Sequence, residues 1–405
     1  MRRLGNPSCR GQRVIIGHPS LQAPSSMSDT SHRVHGLAGD DLEPDWPALT
    51  LDELAALSMD YPHLAPPLAI TWHSPRPLSA AALVRHGQGT VFVKRHHRQV
   101  RSIQSLDIEH RFMHHLRSRG MPVPELLTDT IGRTAVQAGD WVYELYEAIT
   151  GDVYREAFSW SPLDNIAHAR TAGHMLGKLH EASEGFAERD RGTHILVARS
   201  DLILAADPIT ALENQFAERP ALRDYLRERP WRDQLRTALE PWHARARDAL
   251  AAKPTLWTHG DWHVSNLGWS GAGANARITA VFDFGLSAPT FALFDLATAI
   301  ERNAIAWLAL GEPGAAHVDI ALALIEGYRK ARPLSAGDIA LLADLLPIVH
   351  VDFALSEIEY FQAVTGAPAH AQVAYETFLL GHAAWFHSPE GEALLTAIRQ
   401  HPGNS

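Results

Sequence analysis

The stretch His259-Gly260-Asp261-Trp262-His263-Val264-Ser265-Asn266, followed seventeen residues beyond Asn266 by Asp283-Phe284-Gly285, decides how this chain is read. Two carboxylates and an amide in this order suit a site that holds metal ions against a nucleotide triphosphate while aiming a hydroxyl at its terminal phosphorus. Phosphoryl transfer asks little covalent work of a protein, so positioning and charge neutralisation carry it. Hard cations such as Mg²⁺ take oxygen ligands, and Asn266 and Asp283 supply two without closing the coordination sphere. Asp261 is then the group that orients the acceptor hydroxyl and takes its proton.

Working outward, Leu256-Trp257 is a short apolar approach to this loop, and Asn266-Leu267-Gly268-Trp269 leaves it. Ser270 to Asn275 is a turn signal before the run from Arg277 to Phe284, so the segment reads as a hairpin whose open ends bring Asn266 and Asp283 together. Taken singly, Asp261 and Asn266 could be ordinary loop residues and Asp283 a turn or helix-capping residue. Their joint order on one hairpin favours the metal and nucleotide reading.

The pattern H-G-D-x-x-x-x-N, a strand ending in D-F-G, and Asp295-Leu296-Ala297 opening a helix resemble the aminoglycoside phosphotransferase and choline kinase superfamily. The resemblance implies an α+β, bilobal, protein-kinase-like fold: a small N-lobe with an antiparallel sheet plus one helix, and a larger, mainly helical C-lobe. It also implies that Asp261 is catalytic, that Asn266 and Asp283 hold the metal, and that His259 braces the loop. His263 and Ser265 match no required position.

Upstream, Leu68 to Trp72, Ala80 to Val84 and Thr90 to Lys94 read as strands, with His86 to Gly89 as a turn. The period of two puts Lys94 on the face of Phe92, at the strand end. Such a lysine could be a solvated edge residue; the resemblance matches it to the lysine that contacts nucleotide phosphates. Ile108, Phe112 and Leu116 give the next segment a helical apolar stripe, stopped by Gly120 and Pro122. Glu109 beside that stripe is the expected ion-pair partner of Lys94, with Asp107 as a competitor and a solvated charge as the plain alternative. Trp141 to Tyr146 reads as a strand leading to a hinge at Gly151 and Asp152, where the main chain of Glu144, Leu145 and Tyr146 would meet an adenine ring. The loop His73 to Ser79 has no glycine and two prolines, a departure from the glycine-rich phosphate loop of related enzymes.

Composition bounds the rest. The chain has 405 residues, 46% apolar and 20% charged, enough for a large core and more than one lobe. A net charge of −10 argues against nucleic-acid or anionic-membrane binding, and the single cysteine, Cys9, allows no intrachain disulfide. No apolar run approaches the roughly 18 residues of a membrane span, so a cytoplasmic enzyme is expected. Residues 1–45 read as disordered, and Met27 offers a second start. Residues 46–150 form the expected N-lobe and 151–405 the helical C-lobe, with helices over Ile166 to Leu179, Asp295 to Leu310, Val318 to Tyr328 and Ile339 to Gln362.

The expected activity is transfer of the γ-phosphoryl group of ATP, or alternatively GTP, to the hydroxyl of a small molecule, with Mg²⁺. Asp352, Glu357 and Glu359 beside Tyr360 and Phe361 would suit a cationic acceptor, or else form a solvated face. His110 and His114 have the spacing of a transition-metal pair but no third ligand. Two other classes share the motifs: a protein kinase-like enzyme and a non-catalytic nucleotide-binding regulator. The first is disfavoured because only about ten residues separate Asp283-Phe284-Gly285 from the Asp295 helix, with no A-P-E sequence.

Overall fold

The computed structural model describes residues 44–149 apart from 75, the backbone of 152–153, and residues 161–402 apart from 272 and 311–313. Residues 1–43 of the segment read as disordered, and the expected hinge glycine Gly151, lie outside these. All described residues belong to the unit Ser31–Ser405.

Strands β1 (Ala69–His73), β2 (Ala80–His86), β3 (Gly89–His97), β4 (Leu126–Leu127), β5 (Ala135–Ala138) and β6 (Trp141–Glu147) build one antiparallel sheet in the order β1-β2-β3-β6-β4, with β5 also on β6. β-Branched and aromatic residues alternate along β3 and β6, which is why both are central. Lys94 is not at a strand end as expected, because β3 continues three residues to His97. Phe92, Lys94 and His96 share one face. The opposite face, with Val91 and Val93, packs against helix α1 (Leu51–Leu57) through Leu54 and Leu57. The pattern reading passed over α1, although Thr50 and Glu53 form a capping box that announces it, worth about 1 kcal/mol. Helix α2 (Ile103–Ser118) buries Phe112 and Leu116 as the stripe requires, and Glu109 with them.

Beyond the sheet the chain is mainly helical. Helix α3 (Ile166–Ser183) is followed by α4 (Asp201–Leu204), α5 (Pro208–Gln215), α6 (Pro220–Leu226), α7 (Trp231–Leu239) and α8 (Trp242–Leu250), several opened by a proline. Then come α9 (Ala292–Ala304), α10 (Val318–Arg329), α11 (Ala336–Leu345) and α12 (Val351–Tyr360). The single helix expected over Ile339 to Gln362 is two, α11 and α12, broken around Pro347, whose ring and missing N–H interrupt the ladder. The C-terminal part adds α13 (Pro368–Val373), α14 (His382–Trp385) and α15 (Pro389–Gln400). Helices α3 and α10 cross at backbone contact: a Cβ at Gly173 would lie 2.0 Å from Leu324 O, and one at Gly327 2.0 Å from Arg170 O.

Inserted among these helices are β7 (Asp152–Val153), β8 (Leu256–Thr258), β9 (Leu267–Ser270), β10 (Arg277–Val281) and β11 (Ala288–Thr290). β9 and β10 are the hairpin expected from the turn signal, with Leu267 opposite Val281. Phe282 N donates to Asn266 O at 3.1 Å, so the open ends of the hairpin meet. β8 pairs with β11, which frames the loop between Thr258 and Asn266. Among the described residues no helix is long and apolar enough to cross a membrane.

Candidate active site

The loop carrying Asp261 is held by a carboxylate far from it in sequence. Asp295, fully buried in the first turn of α9, accepts from His259 N and Gly260 N, each at 2.9 Å, and from His180 Nε2 at 3.0 Å. Tyr328 donates its hydroxyl to His180 Nδ1 at 2.8 Å, so the tight α3–α10 crossing fixes the imidazole that fixes Asp295. Burial pushes the Asp295 carboxyl up, but the His180 and Gly260 hydrogen bonds and the nearby imidazoles outweigh it and hold the pKa below the ordinary value. Gly260 is required here: its φ is +78°, and a Cβ would lie 2.6 Å from Leu286 O. His259 is buried and donates through Nε2 to Phe282 O at 3.0 Å, the geometry of a brace between this loop and the end of β10.

With the loop so fixed, Asp261 faces outward with 20% of its side chain exposed. Asn266 Nδ2 donates to Asp261 Oδ2 at 2.9 Å and to Asp261 O at 2.9 Å, while Arg302 Nη1 lies 3.3 Å from Oδ1. Each carboxylate oxygen thus has one partner, which sets a single rotamer. Arg302 was missed in the sequence, but a signal existed: it lies seven residues after Asp295 in α9, two turns on and therefore on the same helical face. His263, which matched no required position, is buried against Ser161 O, and burial pulls its pKa down to about 4.

Behind Arg302 stands Glu301, its side chain 3% exposed, 3.6 Å from the guanidinium and 3.5 Å from His382 Nδ1. Burial lifts its pKa to about 7, against a smaller downward pull from Arg302. Below the ordinary carboxyl range folded and unfolded chains both hold this proton; between there and about 7 only the folded chain does, so stability is lost as pH rises through that window. In thermal melts from about pH 5 to 8, Glu301→Gln is expected to flatten this decline. Parallel wild-type and variant curves would show that Glu301 does not titrate there.

Asp283 is the second carboxylate of the site, and its backbone is unusual: φ is +60° and ψ +64°, left-handed for a residue with a side chain. Such strain persists only where surroundings impose it, and it concentrates at functional positions. The side chain is 39% exposed and pairs with Lys94 Nζ at 2.8 Å. Burial works against both charges, yet the Lys94 ammonium holds Asp283 below its ordinary pKa, and Asp283, Glu144 and Glu109 hold Lys94 above its own.

Two expectations are corrected here. Glu109 does not pair with Lys94: its carboxylate accepts from Arg191 Nη2, a guanidinium only 1% exposed that supplies the stronger, forked donor. Asp107 pairs with Arg111 on the surface of α2 at 3.2 Å. Glu144, Leu145 and Tyr146 are flanked on both sides, by Lys94, Val93 and Phe92 on β3 and by Ala135, Leu127 and Leu126 on β5 and β4, so the sheet takes up their main chain. The Glu144 side chain is instead a buried hub, accepting from His96 Nε2 at 2.9 Å, His110 Nε2 at 2.7 Å and the Tyr146 hydroxyl at 2.6 Å. His110 Nδ1 meets Thr134 Oγ1 at 2.7 Å, so both ring nitrogens are committed and the His110–His114 spacing builds no metal pair. Glu359, with Arg219 and His194, and Asp352, with Leu202 N, are tied into the helical core rather than a solvated face.

The donor set fits a hard cation. Asn266 turns its Nδ2 to Asp261, which leaves Oδ1 as the amide's ligating atom, and the Asp283 carboxylate is accessible. Among the described residues no three His, Cys, Asp or Glu side chains group into a closed cage. Two oxygen donors, from Asn266 and Asp283, would suit Mg²⁺, which keeps sites for water and phosphate oxygens. In the loop between β1 and β2, which has no glycine, Arg76 N donates to Ser74 Oγ at 3.2 Å.

The chain is similar to known proteins in sequence and in fold. The homoserine kinase of Methylobacterium radiotolerans is 24% identical over 280 residues, 67% of this chain and 74% of that enzyme. Among solved structures, a microcompartment-associated aminopropanol kinase superposes with a TM-score of 0.54 at 17% identity, over 85% of this chain and 100% of the other. An amicoumacin kinase in complex with AMP-PNP, Ca²⁺ and its antibiotic gives 0.52 at 14% identity, over 86% and 91%. The fold is the α+β, bilobal, protein-kinase-like one. Residues 78–334 match the phosphotransferase enzyme family, and the chain belongs to that family as a phosphotransferase.

Proposed function

We propose that this enzyme transfers the γ-phosphoryl group of ATP to a hydroxyl of a small molecule, with Asp261 as the catalytic residue. The observation that carries this reading is the Asp261 carboxylate, held by Asn266 and Arg302 on a loop fixed by Asp295, with Lys94 and Asp283 paired beside the hairpin that ends at Asn266. Asp261 accepts a hydrogen bond from the acceptor hydroxyl, aims its oxygen and takes the proton as the new O–P bond forms and the bond from the γ-phosphorus to the bridging oxygen breaks, with ADP leaving. Asn266 and Asp283 would hold Mg²⁺, which when bound neutralises charge on the phosphate oxygens. Lys94, which rests on Asp283 at 2.8 Å, would bind phosphate oxygens of the nucleotide. The sheet lobe, residues 46–150, holds the nucleotide, and residues 151–405 carry metal and acceptor. The adenine edge faces Ala148 and Ile149, the first described positions past the sheet and its last backbone bond, Glu147 N to Glu125 O.

The acceptor carries a cationic amino group: the similarity to a homoserine kinase and to an aminopropanol kinase favours amino alcohols and hydroxy amino acids over neutral sugars. The test is Mg²⁺-dependent ATP consumption across homoserine, other amino alcohols, antibiotics and neutral sugars, with mass spectrometry of products. From wild type, a product of an amino-bearing acceptor, heavier by one phosphoryl group, is expected, and none from Asp283→Ala. Phosphorylation of neutral sugars alone would defeat the cationic reading; normal turnover by Asp283→Ala would defeat the metal assignment.

A further inference from the structure

Two buried arginines converge on the loop that carries Asp283. Arg101, from the turn between β3 and α2, and Arg191, from the segment after α3, are 3% and 1% exposed. Both donate to the same atom, Gly285 O, from Arg101 Nη2 at 2.6 Å and Arg191 Nη1 at 2.8 Å. Arg191 Nη1 also reaches Ser287 O at 3.3 Å, and Ala198 N donates to Leu286 O at 2.9 Å. The other hydrogen bonds of Arg101 end on Val100 O, Ile195 O and Leu196 O. The segment from 284 to 287 therefore has its carbonyls gripped from outside, two residues past the left-handed Asp283.

Such a grip needs explaining, because two guanidiniums side by side in the interior repel, and burial together with Arg191 pulls the Arg101 pKa down to about 9. Glu109 answers the charge by taking Arg191 Nη2. Counted together, Lys94, Arg101 and Arg191 face Glu109, Glu144 and the partly exposed Asp283, so the charges of the cluster balance with Lys94 resting on Asp283.

We propose that Arg191, with Arg101, is a positioning residue for the metal-binding carboxylate: the pair clamps Gly285 O and so fixes the conformation of Asp283, and Glu109 serves this clamp rather than Lys94. Helix α2 is thereby coupled to the metal loop through arginine instead of through the phosphate-binding lysine. An arginine suits this role because its planar fork can bond a carboxylate and a carbonyl at once, which an ammonium cannot do with the same geometry.

The inference rests on the nucleotide and metal reading above, and its test separates the two. Binding of AMP-PNP to the full-length protein is measured by calorimetry in excess Mg²⁺ and again in EDTA, for wild type, Arg191→Lys, Glu109→Gln and Lys94→Met. Arg191→Lys is expected to lose ~10- to 100-fold of the affinity that Mg²⁺ adds, as for residues that orient a metal ligand, and to keep the affinity seen in EDTA. Amide exchange over residues 283–287 should quicken in the same variant. Glu109→Gln, which keeps a side-chain acceptor for Arg191, should also keep its EDTA affinity, whereas Lys94→Met loses it. An undiminished Mg²⁺ increment in Arg191→Lys would overturn the clamp. So would a Glu109→Gln variant that loses EDTA affinity as Lys94→Met does, since the glutamate would then serve the lysine. Wild type that binds no nucleotide in either condition would instead overturn the kinase reading beneath it.

Discussion

Asp261→Asn is expected to lower kcat by a factor of ~10²–10⁴, the usual worth of a positioned general base, while the KM for ATP moves little. The asparagine is nearly isosteric, keeps an oxygen for one of the two partners, Asn266 Nδ2 and Arg302 Nη1, and so leaves the loop in place. What it removes is the capacity to accept the acceptor's proton. The nucleotide side is insulated because Lys94 and Asp283 pair with each other rather than with Asp261. Steady-state kinetics with both substrates varied would read this directly. A variant with wild-type kcat would mean that another group deprotonates the acceptor, and a parallel collapse in ATP affinity would mean that the loop, not the proton, had been lost.

Asp295→Ala should be the most damaging change to stability. It strands three buried donors at once: His259 N, Gly260 N and the His180 imidazole, which in turn is held by Tyr328. Removing one partner of a buried charged network costs about 3–5 kcal/mol, and the amides orphaned here belong to the loop that aims Asp261. Unfolding in urea should therefore show a much lower midpoint, with turnover reduced even where the variant remains folded. Asp295→Asn should be milder in stability, since one oxygen remains, but it turns an NH₂ toward a backbone N–H. Equal midpoints for wild type and Asp295→Ala would show that the loop is held by something other than this carboxylate.

The loop of Asp261 and the hairpin that follows it were legible because their information is local. Asp261, Asn266 and the turn between Ser270 and Asn275 lie within one loop and one hairpin, and backbone geometry alone carries such a pattern into space. Strands β1, β2, β3 and β6 were legible for the same reason, since alternation of period two survives in any sheet. Helix α1 was missed despite its capping box because seven residues are too few for a helical period to show. The fused reading of α11 and α12 failed at Pro347, where apolar residues on both sides disguised a break.

Partners were less legible than elements. Glu109 was placed correctly on α2, yet its partner stands 82 residues away in an irregular segment with no pattern to read. Asp295 was visible only as part of a motif, and its grip on Gly260 depends on α9 meeting a loop 35 residues upstream. Glu144 to Tyr146 were recognised as a strand, but β4 and β5, which cover the second edge of β6, were not foreseen.

By itself, then, the sequence carried most strands and the longer helices through periodicity, and through the resemblance of its motifs it implied the class of fold and the proposed roles of Lys94, Asp261, Asn266 and Asp283; periodicity and spacing are properties of a single stretch of backbone. Only the tertiary structure decided which charges meet: Lys94 with Asp283, Glu109 with Arg191, Arg302 with Asp261. An ion pair forms between whichever buried groups the packing of distant elements brings within hydrogen-bond reach, and the energy of leaving any of them unpaired is what makes that outcome specific.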